Sequence, residues 1–238
     1  MTGGNHPELF PVFMLCSLVA GALLTRRYRS AVPLAPSQRA FLGMAAFCGA
    51  IFGAKLPFLL RIPGFEAADG LLVSGNTILF GMVGGYVGVE AAKKHLGITV
   101  RTGDSFVVPV AVSIGIVRLA CFCVGCCYGQ PSDLAWAVVF PKLDELTRHP
   151  TQIYEAVFHF AAAITCAWMI RRNRLRGQLI KAYFAAYFVY RFLSEFIRPE
   201  RVVRFGLTSY QITSLILLVI FLVLFVRDQN TLQQQTST

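Results

Sequence analysis

FVVPVAVSIGIVRLACFCV, Phe106 to Val124, holds nineteen residues with a single charge among them, Arg118. Crossing the hydrocarbon core of a bilayer as a helix takes roughly 20 mostly apolar residues. The stretch therefore reads as a transmembrane helix that carries a guanidinium. Outward from it, segments of similar length and character recur at Leu9–Leu24, Ala40–Leu60, Leu71–Ala91, Gln152–Ile170, Leu179–Ile197 and Ser209–Val226. The composition agrees: 55% of the residues are hydrophobic, 14% are charged, and mean hydropathy is +0.60, where a soluble domain carries about a quarter charged residues. Glycines in the third and fourth spans suit close helix packing. The fold class is all-α, a polytopic integral membrane protein of about seven transmembrane helices. Residues 1–227 read as one helical domain, and 228–238 as a polar tail expected to be disordered.

The net charge of +10 is a matter of topology. With the N-terminus outside, the inner loops collect Arg26, Arg27, Arg29, Arg39, Lys93, Lys94, Arg101, Arg171, Arg172, Arg174, Arg176 and Lys181, with Arg227 after the last span. The outer loops hold Arg61, Lys142, Arg148, Arg198, Arg201 and Arg204. That asymmetry is the positive-inside pattern, which predicts N-out, C-in and argues against a nucleic-acid partner. Met1 to Phe10 contains no basic residue, and Arg26-Arg27 follow the first span. A cleavable signal peptide has the opposite order, so the first helix is expected to be retained.

Ionisable groups inside a span are costly unless they are paired or face water. Lys55, Arg118, Glu155, Arg191 and Glu195 all qualify. Arg191 and Glu195 stand four apart and can pair on one helix face, with Tyr187 a turn earlier on the same face. A structural ion pair is one explanation. Against it, Arg118, Glu155 and Arg191 all fall in the outward halves of their helices, as a site would require. Arg118 has no carboxylate nearby in sequence, so its partner comes from another helix or from a ligand. A guanidinium grips phosphate through parallel hydrogen bonds, and in the outer leaflet that phosphate belongs to a phospholipid. His149-Pro150-Thr151-Gln152 precedes Tyr154-Glu155, an unusually polar entry to a span, in which Thr151 is a candidate helix cap. The arginines of Arg198–Thr208 either snorkel to headgroups or bind an anion.

Cys121, Cys123, Cys126 and Cys127 crowd the outward end of the fourth span. Helical projection puts Arg118, Cys121, Phe122 and Gly125 on one face and Cys123, Cys126 and Cys127 on another. Packing as small apolar groups ranks first, a redox pair second and zinc third, the last resting on the C-x2-C spacing of Cys123 and Cys126. No metal or other cofactor is expected.

The order of motifs resembles the prolipoprotein diacylglyceryl transferase family. The matching stretches are Gly49 to Lys55, Gly84-Gly85, Arg118 through Pro141 with Gly129 and Trp136, Arg148 to Glu155, and Tyr187 to Arg191 with Glu195, Phe196, Arg198 and Pro199. His149-Pro150-x-Gln152-x-Tyr154-Glu155 is the most specific. The resemblance implies a seven-helix enzyme of the bacterial inner membrane, its site facing the outer leaflet. Such an enzyme moves diacylglyceryl from phosphatidylglycerol to the lipobox cysteine of a prolipoprotein and releases glycerol phosphate. On that reading Arg118 and Arg191 clamp phosphate, Glu155 and Glu195 orient them, and His149, Tyr154 or Tyr187 handle protons. Lys55, Gly84, Gly85, Cys121, Gly129 and Gln152 join Tyr154 in binding substrate, and a monomer is expected. Val83 stands where the family has His, Cys121 replaces an Asn, Cys126 a Glu and Phe13 a tyrosine, marking a divergent branch with the motif Gly125-Cys126-Cys127-Tyr128-Gly129. Three rivals stay open: a paralogue with another acceptor, a non-catalytic phospholipid-binding or transport protein, and a thiol-redox protein using Cys126 and Cys127.

Overall fold

The computed structural model describes residues 3–4, 6–28, 34–65 and 77–236, with side chains as far as residue 229. Its helices are α1 (Phe10–Tyr28), α2 (Pro36–Leu59), α3 (Ile78–His95), α4 (Gly103–Val124), α5 (Thr151–Arg171), α6 (Leu179–Ser194) and α7 (Ser209–Thr236). Five of them (α1, α2, α4, α5 and α7) are long and apolar enough on their own to cross a membrane. Helix α6 has 16 residues and runs on into a 3-10 turn at Glu195–Ile197, so the two together fill the expected sixth span. Helix α3 begins at Ile78; the expected start of that span at Leu71, and residues 66–70 of the loop before it, lie outside the described residues. Large apolar side chains such as Leu15, Phe52, Ile164 and Val219 point away from the protein. A soluble chain could not leave so much apolar surface uncovered, and a bilayer covers it.

Helix α4 is the hub: it packs on α1 and α5 and touches α6, while α6 packs on α7 and α2 on α3. The α2–α3 contact is a seam of glycines. A β-carbon on Gly49 or Gly53 would strike the α3 backbone at Gly84 or Phe80, and one on Gly84 or Gly88 would strike α2 at Gly49 or Ala45. Four-residue spacing on both helices keeps these glycines on one stripe, and helices in lipid associate through such close packing. Between α4, α5, α6 and α7 the core is aromatic and aliphatic, built from Val107, Ala111, Ala163, Tyr183, Phe184, Tyr187, Phe188 and Phe221.

Two small antiparallel hairpins cap one end of the bundle. Strand β1 (Val138–Val139) pairs with β2 (Thr147–Arg148), Val138 opposite Arg148, and β3 (Val202–Arg204) pairs with β4 (Leu207–Thr208). The N-terminal segment closes over the same end: Gly3 N donates to Val139 O at 2.8 Å, and His6 N to Cys123 O at 3.1 Å. Helix α7 starts in a reciprocal capping box, with Thr208 N on Gln211 Oε1 and Gln211 N on Thr208 Oγ1. At its other end the structure departs from the expected disordered tail, because α7 stays helical to Thr236. Asp228 anchors it there: Lys181 pairs with the carboxylate and Arg101 donates to the carbonyl.

The glycine seam makes a stability prediction. Gly84→Leu must push α3 off α2 and should cost about 1–3 kcal/mol, the usual range for overpacking. Gly43→Ala, where an added β-carbon meets nothing within 4 Å, should be neutral or mildly stabilising. Thermal unfolding of both variants in detergent separates the cases, and equal melting temperatures would contradict the seam.

Candidate active site

Glu155 lies in the second turn of α5 and is fully buried. Its Oε1 accepts from Arg118 Nη2 of α4 at 3.0 Å and from Tyr187 OH of α6 at 2.8 Å, and its Oε2 accepts from Arg198 Nη2 at 2.9 Å. Arg118 thus finds its partner on another helix, one of the two origins its sequence allowed. A carboxylate with no exposure is tolerable only when its charge is matched and its lone pairs are filled, and these three donors do both.

A second buried pair stands beside the first. Arg191 Nη2 lies 2.8 Å from Glu195 Oε2, the i,i+4 pairing read from the sequence. Thr208 Oγ1 donates to Glu195 Oε1 at 2.9 Å, and the Arg191 guanidinium sits 4.3 Å from the centre of the Tyr210 ring. Three buried guanidiniums therefore face two buried carboxylates. Three of their N–H groups, Arg118 Nε, Arg191 Nη1 and Arg198 Nε, are buried and have no partner among the described residues. Glu200 is half-buried; burial pushes its carboxyl up, with the Glu195 charge adding to the effect.

Arg198 was grouped by sequence with the loop arginines that snorkel or bind anions, yet it is 4% exposed and shares Glu155 with Arg118. The 3-10 turn that ends α6 folds it inward, a geometry no periodicity reveals. His159 was missed as well, although its i+4 spacing from Glu155 was a visible signal. It is fully buried, its Nδ1 is 2.7 Å from Tyr183 OH, and its Nε2 is 3.9 Å from Glu155 Oε1.

The remaining predicted residues divide between the rim and the scaffold. His149 is half-buried with Nδ1 3.4 Å from Tyr154 OH, which also accepts from Trp136 Nε1 at 2.8 Å. Gly129 donates to His149 O at 2.9 Å, and a β-carbon on it would collide with His149, so its lack of a side chain sets where the histidine sits. Gln152 is fully buried and donates to Cys126 O at 2.5 Å. Thr151 does not cap α5; its hydroxyl donates to Cys127 O at 2.6 Å, and Pro150 holds the cap position without a side-chain bond. Gly84 belongs to the α2–α3 seam and Gly85 to a cleft wall. Lys55 is half-buried on α2, whose packing partner is α3.

The helical projection of the cysteines needs correcting. Helix α4 ends at Val124, and Gly125 (φ 84°) and Cys127 (φ 60°) are both left-handed. The chain therefore doubles back and gathers Cys126 and Cys127 against Cys121, on the face that was expected to be separate. Cys123 is left out, so the C-x2-C pair does not form.

A cleft of about 560 Å³ runs along α2, α3, α4 and α6. Its walls are largely apolar, including Phe47, Ile51, Met82, Val110, Ile114 and Val117. At its far end it meets Glu90, Lys93, Arg101, Lys181 and Asp228. Val117, which precedes Arg118 in the chain, is among the cleft's lining residues, whereas Arg118, Glu155, Arg191 and Arg198 are not.

Glu155→Gln keeps the shape and removes the charge shared by Arg118 and Arg198. Uncompensated buried guanidiniums cost about 3–5 kcal/mol, so its melting temperature in detergent should fall well below wild type. Asp144→Asn is the comparison. Arg148 donates to Asp144 and holds that carboxyl below its usual range, but the pair is partly exposed, and its loss should barely move the melt. A Glu155→Gln protein as stable as wild type would mean the carboxylate is not the tie.

Residues 7–227 match the family model described as prolipoprotein diacylglyceryl transferase. Proteins named phosphatidylglycerol–prolipoprotein diacylglyceryl transferase are similar to the chain. The one from Methylobacillus flagellatus is 36% identical over 162 residues, 63% of this chain and 60% of that protein. The one from Methylococcus capsulatus is 31% identical over 201 residues, 79% of this chain and 76% of that protein. The one from Clostridium tetani is 29% identical over 214 residues, 82% of this chain and 86% of that protein.

Proposed function

The chain belongs to the prolipoprotein diacylglyceryl transferase family, and from that membership we propose that it moves diacylglyceryl from phosphatidylglycerol to the lipobox cysteine of prolipoproteins. The observation that carries the reading is the buried cluster of Arg118, Arg191 and Arg198, with three N–H donors unpartnered among the described residues. A phosphodiester is the ligand such donors suit. The apolar cleft, whose lining includes Val117, suits acyl chains.

The chemistry is displacement at a glyceryl carbon. The acceptor thiolate forms a C–S bond, the C–O bond to phosphate breaks, and the phosphate oxygen keeps the electron pair as glycerol phosphate leaves. Guanidiniums already fixed by Glu155 and Glu195 stabilise the growing charge without rearranging, which is where preorganised donors lower a barrier most. Tyr187 donates to Glu155, so its role is positioning. His149 and Tyr154, at the rim and within reach of one another, are the groups we assign to the thiol proton.

The positive-inside pattern supports a site in the outer half of the bacterial inner membrane, where acceptors arrive after secretion. The ion pairs of the cluster are completed within the chain, which supports the monomer we propose.

The test uses purified protein, phosphatidylglycerol micelles and a lipobox peptide, read by mass spectrometry. A diacylglyceryl mass gain on the peptide cysteine is expected, and Arg118→Ala or Arg191→Ala should lower kcat by about 10²-fold or more, as loss of one charge-stabilising donor does. No mass gain from folded wild-type protein would overturn the reading.

A further inference from the structure

The reaction proposed above makes no use of Cys121, Cys126 and Cys127, whose three Sγ atoms all lie within 4.8 Å of one another. We propose that these thiols form a three-thiolate site for a soft closed-shell cation of the zinc(II) or copper(I) kind. Some point always lies within roughly 2.8 Å of three atoms spaced so closely, against a Zn–S bond of about 2.3 Å. Shifts of about half an ångström in the side chains close the site. A disulfide needs its sulfurs brought to about 2.05 Å and uses two of the three thiols; a metal uses all three.

The turn that carries the thiols is held from outside. Gln152 fixes Cys126 O, Thr151 fixes Cys127 O, and Cys126 N donates to Cys121 O at 3.2 Å. These bonds hold Cys127 in its left-handed conformation, which a side-chain-bearing residue adopts at a cost of about 1–2 kcal/mol. Beside the turn, Gln152 Oε1 is buried with no partner among the described residues. Cys127 is exposed, which gives an ion a way in, while Cys121 and Cys126 are half-buried.

Charge favours the same occupant. Three thiolates around Zn²⁺ sum to −1, and around Cu⁺ to −2. Arg118 stands one turn before Cys121 on the same face of α4, and Glu155, which binds Arg118 and Arg198, lies one turn after Thr151, whose hydroxyl holds Cys127 O. Cationic neighbours that would repel a bare metal ion instead stabilise an anionic metal–thiolate group.

Three protein ligands leave zinc a fourth position, the open arrangement of catalytic rather than structural sites. This last step rests on the transferase reading, in which the acceptor is a thiol. Coordination there would acidify the thiol, whose proton would pass to His149 or Tyr154, and would leave the sulfur lone pair to form the C–S bond.

The experiment is a metal titration of the reduced, metal-free full chain in detergent, with Co²⁺ as the spectroscopic stand-in for zinc and Cu⁺ in a parallel arm. One equivalent of Co²⁺ giving a sulfur-to-cobalt charge-transfer band, displaced by one equivalent of Zn²⁺, is expected. Cys121→Ser or Cys126→Ser should abolish the band, and Cys123→Ser should leave it intact. Binding of one Cu⁺ that zinc does not displace would assign the site to copper. No band and no bound copper in folded wild-type protein would overturn the site, as would two missing thiols restored by reductant in the protein as isolated, which mean a disulfide. The fourth-position step is tested by adding lipobox peptide to the cobalt form and by the transfer assay. A shifted band supports it, and full transfer by metal-free protein overturns it while leaving the transferase reading intact. A cobalt band with no transfer under any metal condition would overturn the transferase reading and leave the metal site standing.

Discussion

One carboxylate, Glu155, ties together the parts of the molecule that matter most. It is fully buried and bonded to side chains from α4, from α6 and from the turn after α6. In hydrocarbon no water can stand in for a missing partner, so an ionised group there must be matched within the protein or it will not be ionised. That requirement ties α4, α5 and α6 together and draws Arg198 in from the surface. A structure that keeps Glu155 charged has little freedom to place Arg118, Tyr187 or Arg198 anywhere else. The hairpins and the N-terminal segment close over the same end of the bundle.

The cluster combines rigidity with capacity. Each guanidinium is anchored by one of its nitrogens, and each keeps another N–H buried and unpartnered among the described residues. Anchoring reduces the entropy lost when a ligand binds, and the remaining donors give the proposed phosphate something to bond. Arg191 adds a contact of another kind, since it lies over Tyr210 as well as against Glu195. Two histidine–tyrosine pairs stand at this core. His159 and Tyr183 are sealed within it, and His149 and Tyr154 sit at its rim.

Length and hydropathy told where the helices run, because a bilayer demands roughly the same apolar length from any chain that crosses it. The Arg191–Glu195 pair was legible because both residues lie on one helix. Arg118 and Glu155 could each be marked as ionisable within a span, but their pairing could not be read, since nothing local in a sequence says which helices touch. Arg198 was legible as a misplaced charge, and its burial depends on a turn geometry that leaves no periodic trace. The cysteines were misassigned for a simpler reason. Helical projection was carried past Gly125, where the helix stops and the chain reverses.

The glycine seam between α2 and α3 has a mechanical side. Those two helices grip each other through backbone contact, whereas α3 meets α6 and α7 through ring contacts such as Tyr86 against Phe184 and Phe221. At the hairpin end the loop after α2 is pinned, Ser209 donating to Pro63 O and Phe65 lying 4.5 Å from the Tyr210 ring. Two helices locked to each other by backbone contact and latched at the hairpin end form one stiff wall of the cleft. Apolar side chains such as Phe47, Ile51 and Met82 line that wall, and on its outer side Phe52 and Val87 are exposed to the bilayer. In a membrane, side-chain hydrocarbon and lipid hydrocarbon are close to equivalent neighbours for such a wall.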